Sequence, residues 1–234
     1  MTIAVGLTTT VTPSVPAPFS DLLGKIAVHV AGCPDAVILA YIRDTVIHFC
    51  SYTRAWRVPL NTVNVDTGSY IYPLASPIAD TEVVALLSAQ KTTSTNPKKG
   101  LDIVTFEYVQ KYYPSWPDPV NTGEPKLLFQ YNNTQFAILP VPSSAATYVI
   151  DGFIALRPTT TATTWEQGIA SEFREAIFHG VLYELMMMPK RSWSDDKMGL
   201  YHGKQWSFFK NAARAKVNKS FGPASLNVLA QPWA

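Results

Sequence analysis

The chain has 234 residues, 47% hydrophobic and only 15% charged, with a formal net charge of +2. An ordinary globular chain carries roughly 25% charged residues, and intrinsic disorder needs the opposite balance of low hydrophobicity and high charge, so disorder is excluded. The longest apolar run, residues 36–42, falls far short of the ~20 residues of a membrane span, and so small a net charge argues by itself for no partner.

Residues 1–7 lack a basic flank and a continuous apolar stretch, so a signal peptide is not expected and a soluble, intracellular protein is. Residues 1–19, rich in Thr, Val and Pro, read as an extended arm that orders only where something holds it. A short helix is expected over 20–31, with Asp21 in its first turn and Gly32 at its end. A stronger one follows over 34–56, where Pro34 suits the first helical position and Asp35 the positive end of the dipole. Its apolar stripe is Ile38, Ile42, Val46, Phe49 and Trp56, widened by Val37, Tyr41 and Cys50, and Pro59 stops any continuation. Cys33 and Cys50 bracket this helix; seventeen helical steps hold them about 25 Å apart, too far for a disulfide, so buried free thiols are expected.

From residue 57 the period changes to two-residue alternation. Segments 58–65, 81–90, 101–109, 126–131, 135–139 and 148–156 are strand candidates, rich in Val, Ile, Thr and aromatics. Asn132-Asn133 signals a tight hairpin and 96–100 a looser tip, while the proline-rich run 114–119 reads as a loop. Helix returns after Thr163, where Thr163 with Glu166, or Thr164 with Gln167, has the capping-box spacing. Ile169, Phe173, Ile177, Val181 and Leu185 form its stripe, ended by Pro189. A last helix over 194–220 is capped by Ser194, with Tyr201, Phe208, Ala212 and Ala215 on its apolar side, before an apolar tail.

Each helix has one apolar face to cover, and the economical solution packs the two ends of the chain together. The expected fold class is therefore α+β. Residues 20–56 and 164–221 form a helical bundle, 57–163 an inserted antiparallel β-module, and 222–234 an apolar tail.

Enzyme signatures are missing: there is no phosphate-binding loop, dinucleotide glycine pattern, Gly-x-Ser-x-Gly elbow or His-Glu-x-x-His. Glu175 and His179, with Glu172 nearby, share a helix face, but one helix supplies too few metal ligands, so a helix-stabilising Glu–His contact is the expectation. His48 reads as a hydrogen-bonded core or edge histidine, His29 and His202 have no acidic partner in sequence, and Met186-Met187-Met188 reads as flexible packing before a helix stop. After Asp196 the chain carries Lys197, Lys204, Lys210, Arg214, Lys216 and Lys219 with no acidic residue, interleaved with Tyr201, Trp206, Phe208 and Phe209. One basic helix face is usually solvated surface; a weak, non-specific attraction for phosphate is the further expectation.

The segment Cys33-Pro34-Asp35 through Arg43-Asp44, then Phe49-Cys50 and Thr53-Arg54-Ala55-Trp56-Arg57, resembles the first helix of head-to-tail adaptor (connector) proteins of tailed bacteriophages, the tail tubular protein A type of short-tailed phages among them. The layout is similar too, a helical bundle interrupted by a β-rich insert, then a helix pair and an apolar tail. The resemblance implies a virion structural protein of the neck, made in the host cytoplasm. It implies a homo-oligomeric ring, commonly of twelve subunits, docked under the portal protein, carrying the tail nozzle and surrounding the DNA exit channel. Neither catalytic residues nor a cofactor or metal comes with it, and no membrane is involved. It also places Leu226, Val228, Leu229 and Trp233 of the C-terminal segment as portal anchors, and the basic residues from Lys197 to Lys219 near transiting DNA. Low charge, a hydrophobic surplus and apolar ends suit a subunit whose flanks are covered by neighbours. The competing readings are a nucleic-acid-binding module using helix 197–219 and a small hydrolase or metal enzyme with an unrecognised site.

Overall fold

The computed structural model describes residues 16–92, 98–116, 122–143 and 148–219. The arm's last residues form β1 (Pro16–Pro18); a 3-10 turn (Phe19–Leu22) and the short α1 (Leu23–Ala27) then replace a single helix over 20–31. Next comes α2 (Asp35–Thr53), with Ile38, Ile42, Val46, Phe49 and Cys50 buried as its period requires. Pro34 is its N-cap, one position earlier than expected, and Trp56 is buried in the segment beyond the helix. Both cysteines are free and buried, and burial pushes the Cys50 thiol up to about 12.

The alternating region supplies β2 (Arg57–Pro59), β3 (Val63–Val65), β4 (Ile71–Pro73), β5 (Thr81–Thr92) and β6 (Lys99–Ile103). A helix, α3 (Phe106–Tyr112), corrects the strand expected over 101–109. The Thr105 side chain accepts a hydrogen bond from the Tyr108 N–H and so caps a helical turn where alternation suggested extension. Then follow β7 (Thr122–Gly123), β8 (Leu127–Asn132), β9 (Gln135–Leu139), β10 (Val141–Pro142), β11 (Tyr148–Pro158) and β12 (Thr164–Glu166). The hairpin between β8 and β9 turns at Asn133-Thr134, and Asn132 Oδ1 accepts from the Thr134 N–H at 2.8 Å.

The main sheet runs β2–β11–β5–β6–β8–β9–β4, with β3 also paired to β11. Its ladders are antiparallel except β6–β8, which are parallel. Parallel neighbours need a crossover, and α3 lies in the one that joins them. The β5–β11 ladder is the longest, with two register shifts near Gly152. A Cβ at Gly152 would overlap the Ser88 carbonyl, so the close strand approach there requires glycine.

Three helices complete the chain: α4 (Gln167–Glu172), α5 (Arg174–Met186) and α6 (Asp196–Asn218). Residues 164–166 pair with β1 as β12, and the Glu166 carboxylate caps α4 by accepting from the Ile169 N–H at 2.6 Å. Both expected capping boxes are thus replaced by Glu166 acting alone. Phe173 separates α4 from α5, yet Ile169, Phe173, Ile177, Val181 and Leu185 are all buried.

α2 packs against α5 and α6, and also against β11. One hydrophobic cluster therefore runs from Ile38, Ile42 and Ile177 in the helices to Leu86, Leu128, Ile138 and Ile154 in the sheet. A smaller cluster of Val109, Phe129, Ala137 and Leu139 gathers beneath α3. On β9, Phe136 and Ile138 join the large cluster and Ala137 and Leu139 the small one, as two-residue alternation dictates.

Candidate functional site

The functional candidates converge on α6 and the seam it makes with α2 and α5. Asp195, not Ser194, caps α6 by accepting from the Met198 N–H at 3.0 Å. Ser194 instead donates to the Met188 carbonyl and accepts from the Arg191 N–H at 3.1 Å, closing the turn between α5 and α6.

The buried face of α6 is Gly199, His202, Trp206, Ala213 and Val217. The apolar side expected from the sequence is the opposite one. Tyr201 is 49% exposed and Phe208 67%, and Ala212 and Ala215 are also exposed. Close packing explains the reversal: a Cβ at Gly203 would meet the Tyr183 ring at 2.8 Å, and one at Gly199 the Met187 sulfur at 2.8 Å. A helix pair this tight selects small side chains for its contact, whatever the larger residues' hydrophobicity. Gly180 on α5 does the same between Thr45 and Trp206.

The six basic residues do not form one patch. Lys210 lies over the Tyr52 ring at 4.7 Å and the Trp206 ring at 5.2 Å, and Arg214 over Tyr52 at 4.7 Å. Tyr52 in turn donates its hydroxyl to Asn211 Oδ1 at 2.7 Å, pinning α6 to α2. Lys216 pairs with Glu172. The side chains of Lys197, Lys204 and Lys219 make no ion pair or ring contact with any described residue. These three share the outward face with Tyr201 and Phe208, as 3.6-residue spacing places them.

Glu175 bonds to Lys25 at 2.6 Å, and its interaction with His179, expected as a contact, is an electrostatic pull that raises the His179 pKa against the stronger effect of burial. His179 places its Nδ1 2.7 Å from Nδ1 of His202. His202 is 4% exposed, and its pKa falls to about 4 through burial first and then the neighbouring His179 and His29. Burial also pushes His179 down. Sequence reading missed this pair because its members stand 23 residues apart on different helices.

His48 is exposed at the edge of the α2–α5–α6 seam, its ring edge-on to Trp206 at 6.1 Å. Burial first, and then Lys210, lower its pKa, against an opposing pull from Glu184. It lines a cavity of about 220 Å³ together with Tyr41, Asp44, Glu184 and Trp206. A second cavity, about 300 Å³, lies between α3 and β10; Tyr112, Tyr113, Trp116 and Pro140 line it, with no carboxylate, imidazole or thiol. Met186 is buried, Met188 half-buried and Met187 exposed, so the triple methionine spans core and surface.

Among the described residues no three His, Cys, Asp or Glu side chains come together as a metal would need, and no helix is long and apolar enough to cross a membrane. Leu226, Val228, Leu229 and Trp233 lie outside the described residues.

The sequence pattern of the SU10 adaptor protein family matches residues 17–223. Comparison with curated proteins finds no match. Among solved structures, a chain described as from the neck of an empty GTA particle computed with C6 symmetry is similar at 15% identity. The likeness covers 82% of this chain and 93% of that one, with a TM-score of 0.24.

Proposed function

We propose, because this chain belongs to the SU10 adaptor protein family of phage head–tail adaptors, that it is a non-enzymatic ring subunit seated between portal and tail in the virion neck. The observation that carries the reading is the second face of α6. Opposite the buried stripe, Tyr201, Phe208, Ala212 and Ala215 stand exposed among lysines that pair with no described residue. A helix with apolar residues on both sides has one face for its own core and one for a neighbour.

The helical layer formed by residues 20–56 and 164–221 is the proposed seat of the ring, and the sheet of 57–163 projects from it. In the same proposal the ring, commonly of twelve copies in such adaptors, surrounds the DNA exit channel and carries the tail nozzle. The tail of residues 222–234 reaches the portal protein through Leu226, Val228, Leu229 and Trp233. Contact with transiting DNA is non-specific and electrostatic. Of the six α6 cations, Lys197, Lys204 and Lys219 have no ion-pair or ring partner among the described residues, and the other three are already engaged within the fold.

Native mass spectrometry and negative-stain microscopy of the chain, alone and with its portal, test the reading. Uniform closed rings are expected. A chain that stays monomeric in both settings and binds duplex DNA tightly, with affinity falling steeply as salt rises, would replace it with the nucleic-acid-binding module.

A further inference from the structure

The cavity between α2, α5 and α6 has an acidic rim that no ion pair with a described residue neutralises. Its volume, about 220 Å³, is below that of ordinary small-molecule pockets, which run from about 300 Å³ upward; it suits one or two inserted side chains. Tyr41 and Trp206 wall it, and Asp44 and Glu184 stand exposed at its rim. Neither carboxylate makes an ion pair with a described residue.

The complementary set is the outward face of α6. Lys197 and Lys204 are likewise unpaired, and Leu200, Tyr201 and Phe208 beside them are 57%, 49% and 67% exposed. The two sets cannot meet within one molecule. Trp206 faces the cavity, and at 100° per residue Lys204 points about 160° away from it around the same helix. The acidic cavity and the basic ridge thus lie on different sides of the protein, one hollow and one projecting.

We infer that the cavity is the socket for the outward face of α6 in a second copy of this chain. Lys204 or Lys197 enters between the Asp44 and Glu184 carboxylates, and Tyr201 and Phe208 close over Tyr41 and the cavity mouth. The inference rests on the ring reading and deepens it, by naming the two unlike patches that a head-to-tail contact needs in order to close. An apolar centre rimmed by opposite charges is the usual anatomy of such a contact, and the charges fix its register.

Charge exchange in the full-length chain tests it. Asp44→Lys with Glu184→Lys, and separately Lys197→Glu with Lys204→Glu, are each expected to weaken ring formation about tenfold or more at low salt. All four substitutions in one chain are expected to restore it, which also shows that the changed residues do not prevent folding. Rings that form equally well in both charge-reversed variants overturn the socket and leave the ring reading standing. So does a lysine variant that keeps its rings and loses only DNA retention, because the lysines would then be phosphate contacts. A wild-type chain that never forms rings, alone or with its portal, removes the socket and the ring together.

Discussion

His179 Nδ1 and His202 Nδ1 sit 2.7 Å apart across the α5–α6 contact, so one ring must donate and the other accept. Nε2 of His202 is buried with no hydrogen-bond partner among the described residues. The arrangement that leaves no buried N–H of His202 unpaired therefore has His202 donating from Nδ1. Phe178, Tyr201 and Phe209 surround the pair, with Lys25, His29 and Glu175 the charged or titratable groups nearby. A proton added to either ring would place a cation against another imidazole, and at His202 in a buried position.

The first prediction follows from that cost. His202 has a folded pKa of about 4 against an ordinary value of 6.5, so the unfolded chain binds more protons between these values. The neutral ring's contribution is complete above pH 6.5 and is lost as pH falls towards 4. Stability should drop by about 1–3 kcal/mol across that window, and His202→Gln should flatten the slope. Denaturant melts at pH 7.5 and pH 5 measure it; an unchanged slope in the variant would assign the effect to other groups.

Ile42 and Ile177 are fully buried where α2 meets α5. Aspartate at either position leaves an unpaired charge in the core and should abolish cooperative unfolding at 25 °C, whereas Ile42→Val should cost only about 0.5–1.5 kcal/mol. Circular dichroism with thermal melts distinguishes the two outcomes. A soluble, normally folded Ile42→Asp chain would show that the helix faces are misassigned.

Gly152 is the tightest point of the β5–β11 ladder. Gly152→Ala must push the strands apart at the Ser88 carbonyl and should destabilise the chain by about 1–3 kcal/mol. Gly100 has open space around its Cβ position, so Gly100→Ala serves as the matched control. Equal midpoints for the two variants would count against the close approach.

Removing residues 221–234 should weaken attachment to the portal and leave the melting temperature of the remainder unchanged. Co-sedimentation with portal particles reads the first quantity and calorimetry the second. Docking at full strength by the truncated chain would place the portal contact elsewhere.

Much of this architecture was legible because periodicity survives wherever an element's large apolar residues are the ones that its neighbours cover. α2 and β9 are examples, each meeting its neighbours in the register its own pattern demands. β1, β4, β7, β10 and β12, of two or three residues, were invisible because alternation needs more length to be seen. α3 was hidden by β-branched and aromatic residues that suit a strand, against which stand the Thr105 cap and the placement of Glu107 in the first turn and Lys111 in the last. On α6 the rule that large apolar residues turn inward failed. Close approach at Gly199 and Gly203 set the buried side, and Tyr201 and Phe208 were left outside. Their interleaving with lysines, visible in the sequence, was the one signal that this face stays exposed.

The ten-pair ladder between β5 and β11 gives the protein a grain. Arg157 on β11 grips Glu82 of β5 at 2.9 Å and reaches Ser51 of α2 at 3.3 Å, fastening the ladder to the helical layer. Tension along these strands loads the cross-strand bonds in parallel, so many must yield at once; tension across them would unzip one bond at a time. Under an axial load, a subunit mounted with these strands along the pull would act as a stiff tie-rod, and one mounted at right angles as a weak seam.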